Sequence, residues 1–106
     1  MAKYLWRASY SADGIRGVLK EGGTSRRALV EATVKELGGH IEAFYYAFGD
    51  DDVVVIADIP DQVTAAAIAM TVGASGAVTI KTTVLLTPED IDDATQKSVA
   101  YRPPGG

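Results

Sequence analysis

The sequence predicts an α+β fold of the ferredoxin-like type, a β-α-β-β-α-β sandwich with an antiparallel sheet. Two observations support this prediction. Two apolar runs, residues 41–48 and 53–58, flank a short acidic turn at residues 49–52, Gly-Asp-Asp-Asp. This arrangement predicts a β-hairpin with strands at residues 40–48 and 52–59. A helical pattern lies on the outer side of each of these strands, and a further strand lies beyond each helix.

The first strand is predicted at residues 3–10, where aromatic residues recur with a period of two. This alternation places Leu5, Arg7 and Ser9 on one face of the strand. The other face has the larger side chains, namely Tyr4, Trp6, Ala8 and Tyr10. After a turn, residues 15–20 can form one or two helical turns before a pair of glycines stops them.

The first main helix is predicted over residues 24–37, with Thr24 or Ser25 as its N-cap. Gly38 and Gly39 follow it and are typical of a left-handed C-cap. A broad apolar stripe is expected to face the sheet, and it consists of Ala28, Leu29, Ala32, Val34 and Leu37.

The second half repeats the strand–helix–strand order. Asp61 is the expected N-cap of an alanine-rich helix over residues 62–72, and residues 77–86 form the fourth strand. A Thr-Pro pair after that strand predicts a short capped helix. We therefore expect a single domain over residues 1–98, followed by a flexible tail at residues 99–106.

The composition limits the classes of function. The chain has 106 residues, a formal net charge of −4 and no cysteine. An acidic chain lacks the basic surface that nucleic acid requires, and without cysteine there are no disulfides or thiolate metal sites. No apolar run is long enough for a membrane span, and the N-terminus lacks the layout of a signal peptide. We expect a cytoplasmic protein that needs no cofactor and no metal ion. We also expect that it binds neither membranes nor nucleic acid.

Several segments across about residues 3–95 match a known family pattern. They are residues 10–16, 36–39, 44–49, 52–54, 59–61 and 73–78. In these segments the chain resembles the GYD family of small bacterial proteins, named for a Gly-Tyr-Asp signature between strands two and three. Gly49 and Asp52 fit that signature, but Asp51 stands in the place of its tyrosine. The resemblance implies ferredoxin-like chains that pair into a dimeric α+β barrel.

The hairpin strands are apolar on both faces. Strict alternation puts Ile41, Ala43 and Tyr45 on one face of strand two, and residues 53–56 of strand three are apolar on both sides. The opposite face of strand two would then have His40, Glu42, Phe44, Tyr46 and Phe48. A strand that is buried on both faces needs two covers, and a ferredoxin-like sheet has helices on one side only. We therefore expect a second copy of the chain to cover the other side.

Four residues are candidates to line a cavity between the two copies, namely Trp6, Tyr10, Tyr46 and Lys81. The alternative is that the aromatic side chains fill the interface by packing alone. His40, the only histidine, and Arg7 are the candidate catalytic groups if the protein is an enzyme. The three aspartates at residues 50–52 are expected to form a solvated turn and no metal site.

Three functions stay open at this level. The first is a homodimer that binds a small molecule or has an accessory role. The second is a cofactor-independent enzyme of the dimeric-barrel type, comparable to small monooxygenases and isomerases, with its substrate between sheet and helices. The third is a purely structural interaction module. An enclosed cavity that contains His40, Arg7 or Lys81 beside aromatic side chains favours the first two. A cavity lined only by aliphatic side chains, or no cavity, favours the third, which would have an interface filled by side chains.

Overall fold

The computed structural model of the chain describes residues 1–106. Four strands and four helices follow in this order: β1 (Ala2–Tyr10), α1 (Ala12–Glu21), α2 (Gly23–Glu36), β2 (His40–Tyr46), β3 (Val53–Ile59), α3 (Gln62–Ala74), β4 (Val78–Leu85) and α4 (Pro88–Thr95). The strands form one antiparallel sheet in the order β2-β3-β1-β4. Strand β3 lies between β1 and β2 and so separates the two strands of the first β-α-β unit, as in a ferredoxin-like sheet. The predicted fold class is therefore confirmed.

One face of the sheet holds the hydrophobic core. Val34 of α2 and Ala65 and Ile68 of α3 pack on it. We call it the helix-covered face, and in the two central strands it consists of Tyr4, Trp6, Ala8, Val53, Val55, Ala57 and Ile59. All seven are buried, so the predicted face assignment of β1 is confirmed.

The alternate residues form the opposite face, which we call the open face. It consists of Lys3, Leu5, Arg7, Ser9, Val54, Ile56, Asp58, Thr79, Lys81, Thr83 and Leu85, with His40, Ala43 and Tyr45 on β2. None of these residues is fully buried. Its apolar members therefore keep part of their surface in water in the single chain.

A β-bulge in β2 changes which of its residues share a face. Ile41 lies opposite Ala57, whereas Ala43 already lies opposite Ile56, so one extra residue is accommodated between them. Ile41 consequently joins the helix-covered face, and the predicted strict alternation along β2 is wrong at this point. The sequence pattern could not reveal this because a bulge shifts the period without a compositional mark.

The helix ends follow capping chemistry, with one exception. Gly38 has a φ of 85°, and the amides of Gly38 and Gly39 donate to the carbonyls of Lys35 and Val34, which is a Schellman C-cap as predicted. Asp61 accepts from the amide of Thr64 at 2.7 Å and caps α3 as predicted. These interactions fix where each helix leaves the sheet.

The exception is the start of α2. Its N-cap is Gly22, with a φ of 85° and no side-chain cap, so the prediction of Thr24 or Ser25 is wrong. The reason is α1, which is longer than predicted and ends at Glu21, so that one glycine serves both helices. At the other end of the chain, Thr87 forms the expected capping box at α4, which ends at Thr95.

The C-terminal segment does not cover the open face. Every residue from 86 to 106 is exposed, including the large apolar side chains of Leu86, Ile91, Val99 and Tyr101. None of the helices combines the length and the apolar character that crossing a membrane requires. The open face is thus bare of helices and of the C-terminal segment alike.

Candidate functional site

A cavity of about 180 Å³ lies between the helix-covered face and the helices. It opens because α2 and α3 pack on different parts of the sheet and make little contact with each other. Its lining is almost entirely apolar and is contributed by Trp6, Ala8, Tyr10, Arg26, Leu29, Val30, Thr33, Val34, Phe44, Val53, Val55, Ile68, Val72, Val78 and Ile80. This cavity lies within one chain, whereas the sequence led us to expect a cavity between two copies.

Helix α2 presents only part of the predicted stripe to the cavity, namely Leu29 and Val34. Arg26, Val30 and Val34 point inward, whereas Ala28 and Ala32 of the predicted stripe are exposed. The inward residues follow the helical spacing i, i+4, i+8. This spacing could have identified Arg26 as a cavity residue. It was missed because an arginine was not counted as part of an apolar stripe.

Trp6 stands at the centre of the cavity floor, on the central strand β1. Its side chain is only 4% exposed, as predicted. The indole nitrogen Nε1 is the single buried side-chain nitrogen or oxygen in the structure that has no hydrogen-bond partner. A buried donor without an acceptor loses its hydration and gains nothing in return, at a cost of about 1–3 kcal/mol.

Tyr10 and Arg26 supply the polar part of the cavity wall. Burial raises the pKa of the Tyr10 hydroxyl above its ordinary value of 10.0, with a further contribution from neighbouring Tyr46, while Arg26 acts in the opposite direction. Tyr10 is therefore a neutral phenol at physiological pH. Arg26 is half-buried and makes no ion pair with any carboxylate of the chain. Its neighbour on the cavity wall is the Tyr10 hydroxyl, which interacts with the guanidinium.

Tyr46 supports the cavity from the side. Its ring contacts Phe44 edge to face at 5.4 Å between centroids, and its hydroxyl donates to the carbonyl oxygen of Gly23 at 3.1 Å. Because Gly23 begins α2, this hydrogen bond ties the helix start to β2. Tyr46 thus contacts Phe44, which lines the cavity, but does not itself line it.

The remaining candidates lie on the other side of the sheet. Arg7 and Lys81 are cross-strand neighbours on the open face, opposite in direction to Trp6 and Tyr10. The Lys81 ammonium donates to a carboxylate oxygen of Asp51 at 3.1 Å. The expectation that Lys81 shares a cavity with Trp6 and Tyr10 is therefore wrong, because neighbouring positions on a strand point to opposite faces.

His40 is exposed at the start of β2, across from Asp58 on the open face. Its strand neighbour Glu42 bonds Lys3 at 2.7 Å, and Asp58 bonds the same ammonium at 2.9 Å. These two carboxylates raise the pKa of Lys3. No group of three or more histidine, cysteine or carboxylate side chains is placed to hold a metal ion.

The acidic turn is more than a solvated loop. Asp50 is exposed, but Asp51 is only 8% exposed, and Asp52 accepts a 2.8 Å hydrogen bond from the backbone amide of Tyr10. The left-handed residue of the turn is Phe48, with a φ of 57°, and not a glycine. The prediction of a solvated turn is therefore wrong for Asp51 and Asp52, which attach the hairpin to β1 and β4.

Comparison with known proteins gives one match. A family model described as the GYD domain matches residues 4–95, which is most of the chain and confirms the resemblance inferred from the sequence segments. No curated protein and no solved structure matches the chain.

Proposed function

The chain belongs to the GYD domain family, and we propose that it is a homodimeric protein of the cytoplasm that binds a small apolar molecule. The binding site is the cavity between the sheet and helices α2 and α3 of each chain. The second copy covers the open face. The family assignment alone names no ligand, so the proposal depends on the geometry of the cavity.

The observation that supports binding is the combination of volume and lining. A cavity of about 180 Å³ exceeds the roughly 150 Å³ at which an engineered apolar cavity takes up benzene. The cavity is partly open, so its apolar lining contacts water, and covering apolar surface is favourable. An aromatic-sized ligand would cover the cavity surface of Trp6, Phe44 and Val55.

The open face supports self-association. Leu5, Val54, Ile56 and Leu85 are half-buried there, and Tyr45 is 71% exposed. Neither the helices nor the C-terminal segment covers them. Pairing two copies through this face is isologous and closes with a two-fold axis, which is the commonest symmetry of soluble oligomers.

The geometry favours binding over the two alternatives. An enzyme was expected to use His40 or Arg7, and both lie on the open face, away from the cavity. The cavity lining has no carboxylate and no imidazole. A purely structural module was expected to have a cavity lined only by aliphatic side chains, or none, and this cavity is also lined by Trp6, Tyr10 and Phe44.

Binding is tested by titration with benzene as a probe and with two phenylalanine substitutions on the same helix. Val30→Phe places a ring into the cavity, whereas Ala28→Phe adds the same ring to the exposed side of α2. We expect the wild type and Ala28→Phe to take up benzene, measured by NMR shift changes of cavity residues, and Val30→Phe to lose this uptake. Absence of uptake in the wild type, or equal uptake in all three proteins, would remove the cavity as the site.

A further inference from the structure

The C-terminal segment lies apart from the rest of the molecule. We call residues 86–106 the C-terminal arm. A compact chain of about 100 residues has a radius of gyration of about 13 Å. This chain has a radius of gyration of 17.0 Å and a longest dimension of 56 Å. Helix α4 makes no substantial contact with any other helix or strand, so the arm extends away from its own domain.

Helix α4 needs a cover to be stable. It has eight residues, and isolated helices shorter than about 12 residues are marginal in water. Thr87 and Asp90 form reciprocal hydrogen bonds at its start, but these support one end only. Ile91 and Ala94 lie on one side of the helix, and both are exposed. The apolar side on which α4 would pack is therefore bare in the single chain.

The chain's own sheet does not supply this cover. Pro88 and the capping box at Thr87 fix the direction of α4 directly after the end of β4. In this direction the helix leaves the edge strand of the sheet, and every residue of the arm is exposed. The cover then has to come from another molecule.

The open face has a cation without a partner. Arg7 is exposed there and forms no ion pair with any carboxylate of the chain. Its neighbour on β4 is another cation, Lys81, and like charges directly opposite each other are unfavourable. Lys81 is paired with Asp51, and Lys3 is paired with two carboxylates. Strands β1 and β4 themselves contain no carboxylate, so this half of the open face attracts an acidic partner.

Helix α4 is complementary to this half of the open face. It has no basic residue and four carboxylates, namely Glu89, Asp90, Asp92 and Asp93. Asp92 adjoins Ile91 and has no ion pair in the chain. On the sheet, Leu5 and Leu85 are half-buried beside the cations. An apolar side chain next to a carboxylate on α4 thus matches two leucines next to a cation on the sheet.

We propose that two copies of the chain exchange their C-terminal arms, and that α4 of each copy packs on the β1–β4 half of the other copy's open face. Ile91 then contacts Leu5 and Leu85, and Asp92 pairs with Arg7. The β2–β3 half of the open face remains for direct contact between the two sheets. Each copy gives and receives one arm, so the assembly closes with a two-fold axis. The inference rests on the proposed homodimer and adds the arm to its interface.

The test detects contact between an arm and the sheet of the other copy. Because the chain has no cysteine, Lys97→Cys provides a single position in the arm for a paramagnetic label. Isotope-labelled chains are mixed with an equal amount of spin-labelled chains that lack the isotope, and NMR records only the isotope-labelled ones. We expect the amide signals of Arg7 and Lys81 to broaden. The control has both labels on one chain, diluted into an excess of unlabelled chains, and should broaden these signals less.

Two substitutions on α4 test which side of the helix packs. Ile91→Lys removes an apolar contact and brings a cation to Arg7, so we expect the dimer to dissociate about 10-fold more readily in sedimentation. Asp93→Lys, on the opposite side of α4, changes the charge by more but should alter the dissociation constant less than about 2-fold. Since α4 lies outside the core, neither substitution should affect the folding of the domain.

The outcomes separate the arm exchange from the proposed homodimer. Broadening between copies, together with a dimer weakened by Ile91→Lys alone, supports the exchange. If the wild type sediments as a dimer but Arg7 and Lys81 stay sharp in the mixed sample, or broaden at least as much in the control sample, the exchange is overturned while the homodimer stands. Equal effects of the two substitutions overturn it as well. If the wild type is a monomer, the proposed homodimer fails together with the exchange.

Discussion

The two faces of the sheet are built from alternate residues of the same strands, and yet they differ in almost every property. On β3, Val53 and Val55 are buried beneath the helices, while Val54 and Ile56, which are just as apolar, keep part of their surface in water. Hydrophobicity therefore does not distinguish the faces. What distinguishes them is the cover, which the chain supplies on one side only.

The polar groups show the same contrast. The helix-covered face has one buried donor without a partner, the Trp6 indole nitrogen, and no carboxylate, whereas the open face has ion pairs around Lys3 and between Lys81 and Asp51. An apolar surface with charged groups around it is typical of an interface, with an apolar centre and a polar rim. The comparison thus predicts different consequences for the same substitution on each face.

The largest effect is expected for Trp6→Ala. Removing a buried aromatic side chain should lower the free energy of unfolding by about 3–5 kcal/mol. The measurement is urea unfolding, accompanied by wild-type fluorescence, which should be blue-shifted and resistant to iodide quenching. Emission like that of tryptophan in water would place the indole outside the core and reverse the assignment of the two faces.

Next in size is the effect of a charge on the open face. Ile56→Lys would place two ammonium groups in the proposed dimer interface, and we expect the dimer to dissociate about 100-fold more readily. Sedimentation measures this change. The control is Val63→Lys, which also replaces an apolar side chain by a cationic one, but on α3 at a position that is 79% exposed. A wild type that sediments as a monomer would contradict the dimer proposal directly.

A matched pair of valines compares the faces with the smallest chemical change. Val55→Ala should lower the free energy of unfolding by about 2 kcal/mol, because two methyl groups leave a buried site. Val54→Ala should cost less than about 1 kcal/mol of folding free energy and should weaken the dimer instead. Equal costs in urea unfolding at protein concentrations below dimer formation would show that both faces are covered within one chain.

The turn provides a further comparison of neighbouring residues. Asp51→Ala removes the buried partner of Lys81 and should lower the free energy of unfolding by about 1.5 kcal/mol, since the Lys81 side chain is 58% exposed and its ion pair is partly screened. Asp50→Ala changes an exposed carboxylate and should stay within about 0.5 kcal/mol. Thermal unfolding of both variants measures the difference. Equal unfolding midpoints would show that Asp51 contributes no more to stability than a solvated carboxylate does.

The smallest effect is a loss of stability at alkaline pH, which both faces share for different reasons. The folded-state pKa of Tyr10 is raised by burial and that of Lys3 by its two carboxylates. In each case the protonated form is favoured in the folded state. Stability is therefore complete below the ordinary values of 10.0 and 10.5 and decreases as the pH rises through the folded-state values.

Salt separates the two contributions. Ion pairs near the surface are screened by salt, whereas the burial of a phenol is not. The stability loss caused by Tyr10 should be the same at low and high salt, and Tyr10→Phe should abolish it. The stability loss caused by Lys3 should be smaller at high salt, and Lys3→Met should abolish it. Unfolding free energies between pH 8 and pH 12, at about 0.1 M and 1 M salt, make the comparison. A salt-dependent loss that persists in Lys3→Met would assign the effect to other groups.

Much of the fold could be predicted from local signals. The hairpin, the caps formed by Asp61 and Thr87, and the glycine cap after α2 all follow from residues within a few positions of each other. The site was less predictable. Trp6 and Tyr10 were identified by the period of β1, but Arg26 was missed, and Lys81 was placed on the wrong face relative to them.

By itself, the sequence determined the order of elements, the faces of β1, the burial of Trp6 and the family. Each of these depends on short-range periodicity or on local hydrogen bonding, which adjacent residues already specify. The tertiary structure alone decided the bulge in β2, the attachment of Asp51 to Lys81, and the distance between α2 and α3 that opens the cavity. These features arise where segments distant in sequence meet, because packing and pairing there depend on both partners at once.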